Sequence, residues 1–379
     1  MPLFMDFHKD LDVTVEDVKG AHMSDLSVQS KYNVRNLQYW INEEAGTMFC
    51  LMEAPDEESC AKMHEESHGN LACAIQEVDT VLYEMIIGSI PTRDQGAVKN
   101  DDGSIDTGYR FIMMVQLTGQ TNIDGSLAYR SLRLPRRPKS LIREIIGKHQ
   151  GGVIDNINDD NIISVFKSST KAVRCALKIQ KEFMMQKDSD PDPELHLSLK
   201  IGIAAGQPLT ENDGFYEETI RKARYFTRFA GDGKIKVSSF VSDLCDMDGI
   251  IREYQDLSAI EILDRPGERF LMQLMDITES IFVQEEFSIE RLCMELGISR
   301  PQLYRKITSL TGKAPNDWIR DLRLERAFQL LRIQHGNVSE IAYEAGFNNL
   351  SYFSKCFQKK FGLLPSQYLN ISLSASLSA

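Results

Sequence analysis

Four of the chain's seven histidines fall within its first 68 residues: His8, His22, His64 and His68. His64 and His68 stand four apart, so on a helix both rings share one face and can close on a single ion. His8 ends a strand-like run, His22 lies on the helix that follows, and Cys50 and Glu53 sit further along on a strand. Imidazole beside thiolate or carboxylate is a donor set that a borderline cation, nickel or zinc, accepts. An isolated histidine is more often a satisfied polar group on a helix. Four gathered in one short segment point to a divalent metal held by a set drawn from His8, His22, Cys50, His64 and His68. Met5, Met23, Met48 and Met52 read as core fillers.

A second set of capable residues lies near the other end. Arg300, Gln302, Tyr304 and Arg305 fall on the outward side of a short helix whose Leu303, Ile307 and Leu310 turn inward. The same plan recurs with Asn348 and Asn349 at a helix entrance, Ser351 and Lys355 outward, and Phe353, Phe357 and Phe361 inward. Arginine and lysine donate to phosphates or to guanine O6 and N7; Gln, Asn and Ser read base edges or fix the backbone. Taken singly, each is equally a solvated helix-surface residue.

The elements that must position these residues divide the chain in three. Residues 1–88 read as β-α-β-β-α-β, the order of a ferredoxin-like sandwich. Strand-like Pro2–His8 precedes a helix over Thr14–Lys31, a hairpin joins Val34–Asn42 to Thr47–Ala54, and Asp56–Gly69 is helical. Ala72–Ile87 is strand-like at least in part. Residues 89–108 are rich in Gly, Asp, Asn and Ser without periodicity and read as a linker. Residues 109–276 mix strands and helices. Residues 277–370 are nearly all helix, with a turn glycine at Gly297 and another at Gly346. Residues 371–379, of low complexity, are expected to be a disordered tail.

Bulk properties bound the function. A chain of 379 residues suggests two or three domains, and 42% hydrophobic with 26% charged residues is a globular balance. The longest uncharged apolar-leaning run, Phe111–Ile123, is broken by Gln116, Gly119, Gln120 and Asn122, so no membrane span is expected. Seven cysteines without a C-x-x-C pair argue for a reducing cytoplasm. The net charge of −12 alone speaks against nucleic acid, but its distribution does not. From Ser280 onward there are 12 Lys and Arg against 9 Asp and Glu, and 31 against 46 in the remainder. A basic end module on an acidic body fits a DNA-binding domain attached to another function. So small a positive excess predicts modest affinity per copy, which a homodimer would raise.

Three resemblances sharpen this. Leu296-Gly297-x-Ser299-x3-Leu303-x-Arg305, Gly312, Pro315, Arg323, then Ile341-Ala342-x3-Gly346-Phe347-x3-Ser351-Tyr352-Phe353-x3-Phe357 and Gly362-x2-Pro365-x2-Tyr368 resemble the AraC/XylS DNA-binding domain over about a quarter of the chain. Leu364 and Leu369 depart from the usual Thr and Arg. The resemblance implies two helix-turn-helix units on one rigid helix, entering successive major grooves of double-stranded DNA. Ala21-His22-x2-Asp25-Leu26, Tyr32-x-Val34, Trp40, Phe49-Cys50-Leu51-x-Glu53-Ala54-Pro55 and His64-x3-His68-Gly69 resemble small ferredoxin-like nickel-binding proteins. That implies a dimer with metal sites near its surface. Gly151, Gly152, Asp160, Phe166, Gly202, Gly206, Arg224 and Gly233 resemble the class III nucleotide cyclase domain. There, two carboxylates should hold two metal ions. Asp160 matches one position, Gln116 stands at the other, and Ile220 replaces the Asn expected four residues before Arg224. An amide is a poor substitute for a charged ligand, so the resemblance implies a degenerate, non-enzymatic domain. The expectation is an α+β multidomain regulator: ferredoxin-like, cyclase-like α/β, then an all-α double helix-turn-helix, answering to Ni²⁺, Zn²⁺ or a small ligand. Its rivals are an active nucleotide cyclase and a metal-sequestering protein that autoregulates.

Overall fold

Side-chain alternation sets the first layer. The structure, a computed structural model, describes residues 1–123, 126–129, 136–154, 161–189, 195–254, 256–281 and 287–376. In β1 (Leu3–Phe7), Leu3, Met5 and Phe7 turn to one face and Phe4 and Asp6 to the other. Next come α1 (Val15–Val28), entered through a Thr14–Asp17 capping box, β2 (Arg35–Asn42), β3 (Thr47–Glu53), α2 (Glu57–Ser67) and β4 (Ala74–Glu77). The sheet order β2-β3-β1-β4, with antiparallel neighbours, is the expected ferredoxin-like arrangement. α1 and α2 cover the face bearing Phe4, Tyr39, Cys50 and Met52. Met5, Trp40, Phe49 and Leu51 on the other face join a core shared with the rest of the chain.

The stretch expected as strand to Ile87 divides. α3 (Thr80–Ile86) follows β4 because Asp79 accepts from the Leu82 amide and starts a helix. The segment read as a linker is strapped along β2. The Gln95 amide donates to Leu37 O at 2.8 Å, Tyr39 N to Gly96 O at 3.0 Å and Val98 N to Tyr39 O at 2.8 Å. Composition signalled the missing periodicity, but one strand of backbone bonds needs none.

The second sheet begins with β5 (Arg110–Ile123) and β6 (Ser126–Tyr129). It continues through α4 (Arg136–Lys148), β7 (Gly152–Ile154), β8 (Asn161–Phe166), α5 (Ser169–Ser189) and β9 (Leu195–Gly206). α6 (Glu217–Phe229), β10 (Lys234–Ser238), α7 (Ser239–Asp243), α8 (Met247–Tyr254), β11 (Ile260–Leu263) and α9 (Arg265–Ile281) complete it. The order is β11-β10-β9-β5-β8-β7, with β6 paired to β5. Its β9-β5-β8-β7 portion repeats the first sheet's connectivity; β10 and β11 add in parallel. A Cβ at Gly202 would stand 2.4 Å from Thr227 N and 2.5 Å from Ala223 O, so glycine is what lets α6 lie against β9.

The C-terminal helices are α10 (Ile289–Leu296), α11 (Arg300–Thr311), α12 (Pro315–Arg332), α13 (Val338–Glu344), α14 (Leu350–Phe361) and α15 (Pro365–Ser376). Gly297, at φ +63°, makes the turn between α10 and α11. On α12, Trp318, Ile319 and Leu322 close the first unit together with α9, while Leu324, Ala327, Phe328 and Leu331 close the second. α15 runs on to Ser376, past the expected start of the disordered tail, because nothing in ISLSAS breaks a helix. No described helix is long and apolar enough to cross a membrane.

Phe357, fully buried, packs in tilted pairs with Phe361 at 4.5 Å and with Phe353 at 5.5 Å between ring centroids. Phe357→Ala is expected to cost about 3–5 kcal/mol. Denaturant unfolding of the full chain followed by circular dichroism checks this; an unchanged midpoint would contradict the packing.

Candidate metal centre and nucleic-acid interface

Strand alternation puts Asp6 and His8 on the helix-covered face of the first sheet, and helix spacing puts His64 and His68 on one side of α2. Both meet α1, which brings Asp25 to the same place. Asp25 Oδ1, His64 Nδ1 and His68 Nε2 form a near-equilateral triangle: 3.3 Å from the oxygen to each nitrogen and 3.2 Å between the nitrogens. Ligands about 2.0–2.2 Å from a common cation stand roughly 2.8–3.6 Å from one another, so this triangle has the size of one face of a coordination shell. A second group shares His64: His8 Nε2 lies 3.3 Å and His64 Nε2 2.7 Å from Asp6 Oδ2. His64 Nε2 is buried and, close as it is, lacks the alignment of a hydrogen bond. A buried ring nitrogen left without a hydrogen-bond partner 2.7 Å from a carboxylate oxygen fits a metal-ligand set. The residues present therefore suit nickel or zinc.

The electrostatics are those of a buried cation surrounded by acids. Burial opposes charge on His64, but Asp25 and Asp6 beside it raise its pKa to about 10. Burial raises the Asp25 carboxyl, yet His64 and His68 outweigh it and bring it to about 2. Burial likewise opposes Asp6, and His8 and His64 hold it well below the usual carboxylate range. Burial pushes the Cys50 thiol far up, and the Asp6 charge adds to that.

Of the five expected ligands, the structure brings together His8, His64 and His68. Neither group takes in His22 or Cys50. His22, buried on α1, has Nε2 2.9 Å from Asp94 of the strap and its ring 4.9 Å from Tyr39. Cys50 is buried on β3, where its amide donates to Asp6 Oδ1 at 2.6 Å. Glu53 pairs with Arg35 at the sheet's rim. Asp6 and Asp25 were missed as donors. Their signal was a lone carboxylate two residues before His8 on an apolar strand, and another three residues after His22 on the helix.

At the other end, Arg300, Gln302, Tyr304 and Arg305 are exposed on α11, and Asn348, Asn349, Ser351 and Lys355 at the start of and along α14. Two of them also serve the fold. Gln302 Oε1 accepts from the Ser299 amide at 2.9 Å, and Asn349 Oδ1 accepts from the Tyr352 amide at 2.8 Å. Arg300 lies 2.9 Å from Glu290. Among the described residues Arg305 and Lys355 make no ion pair. The middle domain meets α12 and α11: Arg228 on α6 pairs with Glu325 of α12 at 2.6 Å, where Lys360 of α14 stands 3.3 Å from the same carboxylate, and Lys306 of α11 lies 4.4 Å over the Phe270 ring of α9.

In the middle domain Gln116 is half-buried on β5 opposite Asn161 and Lys200. Ile220 on α6 packs into the shared core and Arg224 is exposed. Asp160, the expected metal carboxylate, lies outside the described residues.

A paired helix-turn-helix module stands at one end of the chain and a histidine–aspartate cluster on a ferredoxin-like sheet at the other. Residues 292–371 match the helix-turn-helix domain family, and residues 4–78 match the nickel responsive protein SCO4226-like family. The C-terminal domain is of AraC helix-turn-helix type, and the N-terminal domain is SCO4226-like. "Histidine kinase P4" of Formosa agariphila is 45% identical over 103 residues, 27% of this chain and 8% of that protein. The HTH-type transcriptional activator RhaS of Mannheimia succiniciproducens is 34% identical over 84 residues, 22% of this chain and 31% of that one. The chain thus spans less than a third of either relative. The crystal structure of SCO4226 from Streptomyces coelicolor A3(2) is 36% identical, covering 20% of this chain and 94% of that one, with a TM-score of 0.20.

Proposed function

We propose that the chain is a cytoplasmic transcription regulator, not an enzyme, that reads double-stranded DNA as a homodimer and answers to a divalent metal, nickel or zinc. The observation that carries the DNA half is the rigid pair of helix-turn-helix units on α12, with Arg300, Gln302, Tyr304, Arg305, Asn348, Asn349, Ser351 and Lys355 exposed on the two reading helices. The triangle of Asp25, His64 and His68 supports the metal half, with Asp6 and His8 as a second group through His64. The metal would supply a fixed positive charge that locks α1, α2 and β1 together. We read the middle domain as a degenerate cyclase-like domain, because Gln116 and Ile220 stand where, on that resemblance, catalysis would need a carboxylate and an amide. Its role is to couple the ends, through the strap on one side and the Arg228–Glu325 pair on the other.

A mobility-shift titration of the full chain on duplexes from its own upstream region tests this. With NiCl₂ against chelator, the apparent affinity should change by tenfold or more. Duplexes ignored at low salt overturn the DNA reading. Metal bound without any change in DNA affinity overturns the coupling and leaves a sequestering protein.

A further inference from the structure

We infer that the cleft between the two helix-turn-helix units seats the DNA backbone, with Arg320 and Asn316 of α12 holding phosphates that neither reading helix reaches. This rests on the DNA-binding reading above. The cleft has a volume of about 590 Å³. Arg300 stands on one wall, Asn348 and Tyr352 on the other, and Asn316, Arg320 and Arg323 form the floor. Three guanidinium groups thus face one lining carboxylate, Glu290, which Arg300 already engages at 2.9 Å.

Position decides what such a cleft meets. Helices lodged in two successive major-groove segments on one face of a duplex are separated by the minor groove. The phosphate rows bordering that groove must face whatever lies between the helices, and here that is the floor of the cleft. Arginine at such a place donates to phosphate oxygens and carries no sequence information.

The floor residues have different roles. Arg323 is a strut: its Nη2 donates to Phe287 O at 2.8 Å, and its Nε lies 2.9 Å from where a Cβ on Gly346 would stand. Arg320 is held only by surface partners: Tyr352 lies beside it, and its ion pair to Asp317 at 2.8 Å joins side chains 37% and 48% exposed, so among the described residues it exchanges readily for a phosphate. Asn316 sits one turn before Arg320 on the same face of α12 and is exposed.

The test measures the dissociation constant of the full chain against salt concentration, on a duplex selected for tight binding and on a scrambled one. Each phosphate contact contributes about 0.9 to the slope of log K on log salt. Arg320→Ala should weaken both duplexes by the same factor and lower the slope by about one contact. Arg320→Lys should keep the slope, and Asn316→Ala should weaken both duplexes without changing it. An unchanged unfolding midpoint shows that the variants fold. An unaltered slope and affinity in Arg320→Ala overturn the inference, as does a loss confined to the selected duplex, which would make Arg320 a base reader. Failure of the unsubstituted chain to bind either duplex overturns the DNA reading itself.

Discussion

Replacing His64 with alanine is expected to abolish nickel binding at both histidine–aspartate groups. His64 is the one residue the two groups share, offering Nδ1 toward Asp25 and His68 and Nε2 toward Asp6 and His8. Loss of even an outer partner of a ligand costs about 10–100-fold in metal affinity, so removing this ring should exceed ~100-fold. Isothermal titration with NiCl₂ reads it directly; a variant that still binds with the original affinity would remove the histidine cluster from consideration. The metal-free protein should suffer as well. Asp6 and Asp25, both buried, lose their shared cation, and breaking a buried pair from one side costs about 3–5 kcal/mol. His8 and His68 remain beside them, which places the cost at the lower end. His64→Gln, which retains a donor, should recover part of the stability and none of the metal affinity.

The same ring gives the metal-free protein a defined pH dependence. The His64 pKa is raised in the folded state to about 10 from an ordinary 6.5. Its stabilisation is therefore complete below pH 6.5 and lost as pH rises through 10. Asp25 is lowered to about 2 from 3.8, so its contribution is complete above pH 3.8 and lost as pH falls through 2. Together they favour the interval between these limits. Nickel must displace a proton from the His64 imidazolium, so its affinity should climb about tenfold per pH unit below pH 10. Thermal melts across pH with and without nickel separate the two trends.

Periodicity carried most of the fold. Apolar residues at helical spacing located α10, α11, α13 and α14, and their exposed residues followed by geometry, because an inward Leu303 or Phe353 fixes what points out. The metal ligands were harder. Histidine spacing located His64 and His68, but which other donors meet them depends on how α1 and β1 cross α2, and that is set by packing. Hence Asp25 joins the group while His22, one turn earlier on the same helix, reaches across to Asp94. The strap was illegible for a different reason. Residues 95–98 bond through backbone groups to Leu37 and Tyr39, and any sequence can supply those. The Arg320 cleft is invisible in sequence because it exists only between two units brought together by α12.

Asp106→Ala should be the most destabilising change at the joint between the first two domains. Asp106 Oδ1 and Oδ2 accept from Arg110 Nη1 and Nη2, both at 2.9 Å, and Oδ1 also accepts from the Gly108 amide at 2.8 Å. Arg110 is 1% exposed, at the start of β5. Around it, Tyr83 of α3 bonds Gln38 of β2, and the Tyr216 hydroxyl donates to Gly108 O. One guanidinium thus fastens the end of the strap to the second sheet where the two domains share a core. Removing the carboxylate leaves that charge buried and unpaired, a loss of about 3–5 kcal/mol. Removing both partners together, as Asp106→Leu with Arg110→Met, should cost far less, because the desolvation penalty leaves with the charge. A denaturant series on the single and double variants measures this. Equal losses for Asp106→Ala and the double variant would mean that the pair holds nothing beyond its own packing. If the strap also carries the metal signal, the double variant should retain nickel binding and lose the nickel-dependent change in DNA affinity. The coupling would then depend on this ion pair and not on the cluster alone.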